Sequence, residues 1–141
     1  TLAIGYDASV KPKDLFNGKL ILKQKFLEKN IPEKSNSFDY VIILAVLEHL
    51  EKPEEIVREI YRILKPGGKI ILTVPSHFGQ IVLELLAYRL KMIHVGSVDD
   101  HKRYYWKNEI IATMENCGFS IKNIKHRYFQ FYCNNYLEAT K

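Results

Sequence analysis

Cysteine is nearly missing from this sequence: Cys117 and Cys133 are the only two in 141 residues. A pair so small and so far apart excludes a disulfide framework and a zinc site, and leaves free thiols in a reducing compartment. Long apolar runs are missing as well. The longest, Ile81 to Ile93, is interrupted by Glu84, Arg89 and Lys91 and is too short for a bilayer, and the first residues lack a signal-peptide pattern. A soluble, cytoplasmic protein is therefore expected. No internal repeat, low-complexity tract or linker divides the chain. Its length and 47% hydrophobic content amount to one domain around one core.

An acidic balance is also lacking. The 21 Lys and Arg against 16 Asp and Glu give a formal charge of +5, which permits an acidic partner, yet the lysines are scattered along the chain. The densest group, Lys11, Lys13, Lys19, Lys23, Lys25 and Lys29, reads as a solvated surface. Nucleic-acid binding is the less favoured reading and requires these lysines to converge on one face.

What is present is a strand, acidic loop, helix, glycine turn and strand from Phe38 to Ser76. Tyr40 to Val46 is almost continuously apolar and β-branched, the pattern of a parallel strand covered on both faces. Pro53, Glu54 and Glu55 suit the first turn and positive end of a helix. Ile56, Ile60, Ile63 and Leu64 then give that helix one apolar stripe. Lys65-Pro66-Gly67-Gly68 stops it, and Lys69 to Val74 returns as a strand parallel to the first.

Before this unit, Thr1 to Tyr6 reads as a strand ending at Asp7, with a turn of helix within Val10 to Asn17 and a third strand over Lys19 to Lys25. An acid at the carboxyl end of a parallel strand lies on the edge where open α/β sheets bind ligands. Asp7 there accepts a ribose, or caps the turn through Ala8 and Ser9. After the unit, a helix from about Gln80 to Ile93 is apolar on most sides. It is expected in the core, with a substrate lid or a homodimer face as the alternatives. Trp106 to Cys117 is the last helix, ended by Gly118. Phe119 to Arg127 and Phe131 to Ala139 read as a paired antiparallel couple whose aromatics pack in the core. Asp99-Asp100-His101 invites a metal, but no further ligand is spaced for a site, so no metal is expected.

FDYVIILAVLEHL followed by LKPGGKIILTVP resembles the fourth and fifth strands of the class I S-adenosylmethionine-dependent methyltransferases. The Leu-Glu-His after the fourth strand is similar to the type 11 subgroup. The resemblance implies a Rossmann-like α/β fold, mostly parallel, with a C-terminal antiparallel strand pair. It implies S-adenosylmethionine as cofactor and methyl transfer to a small-molecule oxygen, nitrogen or carbon acceptor. In this register Gly5-Tyr6-Asp7 ends the family's second strand. Asp7 and Ala8 then approach the ribose, Leu27 and Glu28 stand near adenine, and Leu44, Ala45 and Val46 border the cofactor. His77, His101 and Tyr104 belong to the segment facing the substrate.

His49 is the candidate catalytic residue. A histidine with an unperturbed pKa of about 6.5 takes a proton from an attacking hydroxyl or amine, orients the substrate, or packs against the next helix. The family's glycine-rich loop has no counterpart, since the seven glycines never occur as Gly-x-Gly. The domain over residues 1–141 is accordingly expected to be incomplete at its N-terminal side. An alternative register makes Leu2 to Gly5 the first strand and Tyr6 to Ser9 a degenerate loop. A non-catalytic methyltransferase-like module and a subunit of a nucleic-acid-modifying enzyme are the rival functions.

Overall fold

A computed structural model describes residues 2–7, 11–15, 17–18, 20–24, 29–89 and 102–141. The strand signals fold into two sheets. Ala3–Asp7 (β1), Lys13–Leu15 (β2) and Leu20–Gln24 (β3) form one in the order β1-β3-β2. Phe38–Leu44 (β4), Leu64–Pro75 (β5), Ile124–Phe129 (β6) and Asn134–Thr140 (β7) form the other in the order β4-β5-β7-β6. β1 runs parallel to β3, and β4 parallel to β5, with Ile43 opposite Leu72. β7 lies antiparallel to both β5 and β6. The expected Rossmann-like α/β class, closed by an antiparallel pair, is the one found.

Pro53–Ile63 (α1) connects β4 to β5. Its apolar stripe buries Ile56, Val57, Ile60 and Ile63 against the sheet, while Lys107–Asn116 (α3) adds Ile110 and Met114 on the same side. Ile70, Leu72 and Val74 of β5 and Leu137 and Ala139 of β7 supply the facing layer. This layer is the core of the described residues, since alternate strand residues point to one face. Removing a side chain such as Leu72, which is fully buried, should cost about 2–5 kcal/mol.

A charged seam ties the smaller sheet to this core. The Glu33 carboxylate accepts from the Tyr6 hydroxyl of β1 and from Lys23 Nζ of β3, the latter at 2.7 Å. Arg62 of α1 donates to the carbonyls of Glu33 and Ile31 at 2.8 and 2.9 Å, while Glu59 accepts from Ile31 N at 3.0 Å. The neighbouring Arg62 guanidinium holds the Glu59 carboxyl below its ordinary range. The segment entering β4 is thus pinned from both sides.

Three expectations need correction. Within Val10 to Asn17 the described residues form the short strand β2, antiparallel to β3, and no turn of helix is seen. Asn17 and Gly18 at φ +55 and +78 reverse the chain, so a segment too short for a helix folds back as a hairpin instead. β4 is also not covered on both faces. Val41 and Ile43 point toward the helices, but Tyr40, Ile42 and Leu44 are 61, 63 and 55% exposed, and β4 has only β5 beside it among the described residues. Finally, the helix after β5 starts earlier, at His77–Glu84 (α2), capped by Ser76, and continues as a π-helical turn over Leu85–Arg89. Its side chains do not fill the core: Phe78, Ile81 and Leu85 are all exposed. Residues 90–93 of the expected helix lie outside the described residues.

Candidate active site

The parallel pair β4 and β5 delivers two chain ends to one edge of the sheet. At the end of β4, Ala45 takes the left-handed conformation at φ +51, and its amide donates to the Thr73 carbonyl and hydroxyl of β5 at 3.1 and 3.2 Å. A non-glycine residue in that region is strained, and such strain collects where a chain is aimed for use. The turn leads into a short 3₁₀ segment, Leu47–His49, whose Leu47 is buried and whose His49 is half-buried.

Glu48 is the unusual member of that segment. Its side chain is buried, its Oε2 has no hydrogen-bond partner among the described residues, and burial pushes its carboxyl above the ordinary range. Beside the same edge, Lys102 N donates to the Glu48 carbonyl at 3.0 Å and Tyr105 N donates to the Pro75 carbonyl at 3.1 Å. The Tyr105 ring is buried, its hydroxyl has no partner among the described residues, and desolvation raises its pKa to about 12.

Several sequence-level candidates come together here. His77 stacks on Trp106 with ring centroids 4.7 Å apart and lies 6.3 Å from the Tyr104 ring. His77 and Tyr104, both expected near the substrate, are therefore neighbours. Leu44, Ala45 and Val46 are exposed at the end of β4, and His49 follows them. Asp7 ends β1 opposite Gln24 of β3. Ala8, Leu27, Glu28 and His101 lie outside the described residues, as does the Asp99-Asp100-His101 stretch. Among the described residues no three His, Cys, Asp or Glu side chains gather as a metal site would need.

An aromatic crevice of about 340 Å³ opens beside His77, lined by Ser76, Phe78, Trp106, Tyr128, Phe131 and Tyr132. Reading the two C-terminal strands as core-packing runs missed it. Phe131 and Tyr132 are not in a strand. They lie in the turn between β6 and β7, and Phe131 is 92% exposed. Gln130, Phe131 and Tyr132 all take left-handed φ values of +51, +54 and +66, each at a cost of about 1–2 kcal/mol. The turn is held by α2. Ser76 Oγ donates to the Tyr132 carbonyl at 2.5 Å and accepts from Gly79 N at 3.0 Å, while Ser76 N donates to the Cys133 carbonyl at 2.9 Å. The available sequence signal was the Tyr-Phe-Gln-Phe-Tyr stretch over 128–132, in which the polar Gln130 interrupts the aromatics.

The order β4-β5-β7-β6, with β4 parallel to β5 and β7 antiparallel to both its neighbours, defines a Rossmann-like α/β fold. Residues 3–72 match the family described as methyltransferase domain. This match and the sheet order found here support a class I S-adenosylmethionine-dependent methyltransferase. The chain is 31% identical over 101 residues to a ubiquinone biosynthesis O-methyltransferase of Pseudomonas putida, a match covering 70% of this chain and 42% of the relative. The chain thus spans less than half the length of that relative. Among solved structures it resembles an S-adenosylmethionine-dependent methyltransferase of Mesorhizobium loti, with TM-score 0.68 and 11% identity over 99% of this chain and 80% of the other. It also resembles a chain in the complex of the Haloferax volcanii Trm112 methyltransferase activator with a methyltransferase, with TM-score 0.73 and 13% identity over 99% and 71%. Identities this low speak for the fold.

The family's cofactor can be tested against these residues. The exposed apolar side chains of Leu44 and Val46 at the open end of β4 fit the flat, apolar face of an adenosyl group. The methionine part finds no glycine loop, because Gly-x-Gly does not occur in the sequence.

Proposed function

We propose that this chain forms the catalytic half of an S-adenosylmethionine-dependent methyltransferase that modifies a small-molecule acceptor. The observation that carries this reading is the Leu47–His49 turn at the carboxyl end of a parallel pair, within the order β4-β5-β7-β6. The cofactor, when bound, supplies a methyl group already activated by its sulfonium, so the protein's share is alignment and exclusion of water. Asp7 and Ala8 hold the ribose, Leu27 and Glu28 lie by adenine, and Leu44, Ala45 and Val46 form the wall beside it. His49 takes the proton from the acceptor's attacking atom. His77, His101 and Tyr104 position the acceptor. An oxygen acceptor is favoured by the O-methyltransferase named above as a relative.

The domain in this reading is completed by further chain. β4 carries the residues of a central strand yet stands at an edge with Tyr40, Ile42 and Leu44 exposed, and the match covers 42% of the relative. A further strand beside β4 and cover for its open face satisfy both. The cytoplasm is the proposed location, in keeping with two free cysteines and no helix, among the described residues, long and apolar enough to cross a membrane. The exposed row Phe78, Ile81 and Leu85 is the proposed homodimer face.

Calorimetric titration of S-adenosylmethionine into residues 1–141 and into the full-length gene product tests the proposal. Binding by the longer protein, and weak or no binding by residues 1–141, is expected. Tight binding by residues 1–141 alone would overturn the incomplete-domain reading. Absence of binding by both would leave the non-catalytic module, the reading that the lacking glycine loop favours.

A further inference from the structure

The aromatic crevice has a polar extension. A second hollow of about 500 Å³ shares Tyr128, Phe131 and Tyr132 with the first and adds Lys107, His126, Arg127 and Phe129. The first is walled almost entirely by aromatic rings, whereas the second brings two cations and, among the described residues, no carboxylate to its lining. The nearest acid on that strand pair, Glu138, is engaged by Lys69 Nζ at 3.0 Å, and Arg127 lies 5.5 Å from the Tyr136 ring centroid. A negative charge on a ligand is what this lining lacks.

The rings are held in place rather than scattered over the surface. Tyr128 sits edge-on to His126 at 4.7 Å and tilted to Tyr132 at 5.3 Å. Trp106 is backed by the stacked His77. The left-handed backbone over Gln130 to Tyr132 keeps Phe131 standing out into solvent, and Ser76, itself held by Gly79 N, fixes the Tyr132 and Cys133 carbonyls from the other side. An exposed phenylalanine on a strained, doubly anchored turn makes physical sense when a ligand covers it. Aromatic faces select other flat rings through offset or edge contacts, with specificity beyond apolar area.

We propose that this double crevice binds a small molecule with a planar aromatic ring bearing an anionic substituent, the ring between Trp106, Phe131 and Tyr132 and the anion toward Lys107 and Arg127. The assignment of this molecule as the methyl acceptor rests on the methyl-transfer reading; the binding does not.

Trp106 is the only tryptophan in the 141 residues, so its emission reports on the site without cofactor or turnover. The probes are benzoate, its saturated counterpart cyclohexanecarboxylate, and the neutral benzamide, each titrated while Trp106 emission is followed. The signal should vanish in Trp106→Phe. Benzoate should perturb the emission saturably, with a Kd at least tenfold lower than that of either other probe. Phe131→Ser, at an exposed position that the fold does not need, should weaken benzoate at least fivefold. Lys107→Gln with Arg127→Gln should bring benzoate to the level of benzamide. Equal binding of benzoate and cyclohexanecarboxylate, or no saturable change with native circular dichroism, would overturn the proposal. A radiolabelled methyl-transfer assay on the same ligand is read separately. Selective benzoate binding without transfer removes the acceptor assignment and keeps the ring site, whereas transfer to acceptors that do not compete with benzoate places the acceptor elsewhere.

Discussion

Nε2 of His126 and Oδ1 of Asn135 lie 2.8 Å apart across the β6–β7 pair, and the amide nitrogen of the fully buried Asn135 donates to the Tyr105 carbonyl at 3.0 Å. With its NH₂ committed there, the Asn135 oxygen only accepts, so the His126 proton sits on Nε2. Asn135→Ala strands a buried carbonyl and should cost about 1–3 kcal/mol. Asn135→Asp should cost more, because it adds a buried charge and removes the donor. Urea denaturation measures both, and ¹⁵N shifts of the imidazole check the tautomer. A parent-like midpoint for Asn135→Ala would show that the network holds nothing.

Gly79 lies so close to the Cys133 backbone that an added Cβ would overlap the Cys133 carbonyl. Gly79→Ala should therefore push α2 off the β6–β7 turn, costing about 1–3 kcal/mol and shifting Trp106 emission. Ser76→Ala loses the cap and the bond to Tyr132, with a loss of about 1 kcal/mol. If thermal unfolding of Gly79→Ala matches the parent, α2 and the turn are not coupled.

Glu48 makes the fold pH-sensitive in the direction opposite to an ion-paired acid. Burial raises its folded pKa above the unfolded value, so the folded state holds its proton longer. The contribution to stability is favourable below the unfolded pKa, about 4.3, and falls away as pH rises through that value toward the higher folded one. Glu48→Gln should therefore stabilise the protein at pH 7.5 and give a smaller gain at pH 5. Denaturant midpoints at the two pH values measure this, and a gain independent of pH would point to packing instead.

The role proposed for His49 separates chemistry from binding. His49→Ala should lower turnover by about two to four orders of magnitude and leave cofactor affinity nearly unchanged. Calorimetry and initial rates on the same preparation give both numbers. Full turnover in the variant would reduce His49 to a packing residue.

The strand, helix and strand from Phe38 to Pro75 were legible because their periods change cleanly, from a continuous apolar run to a 3.6-residue stripe and back. The α1 start follows from Pro53, and the helix ends at Ile63 just before Lys65-Pro66-Gly67-Gly68, where Gly67 takes φ +78 within β5. What the sequence could not carry was the neighbourhood of each element. Tyr40, Ile42 and Leu44 are written as if buried, yet exposure depends on what lies beside β4. Ile81 and Leu85 mislead in the same way, since apolarity records a need for cover and not its source. At the site, His77 and Tyr104 were expected from the resemblance, and their rings lie 6.3 Å apart. The crevice was missed because three successive left-handed non-glycine residues have no compositional mark, and an aromatic in a turn looks like an aromatic in a strand.

Among the described residues no strand lies on the outer edge of β4, and for residues 1–141 on their own this matters in solution. A strand edge left open on the side away from β5, with Ile42 and Leu44 exposed, is a template on which a second molecule can add its own β4. The end of that strand is where the adenosyl group is proposed to lie, so self-association and cofactor binding draw on the same surface. By mass action each depletes the other. Apparent cofactor affinity should then fall as protein concentration rises, and added cofactor should keep the protein dispersed.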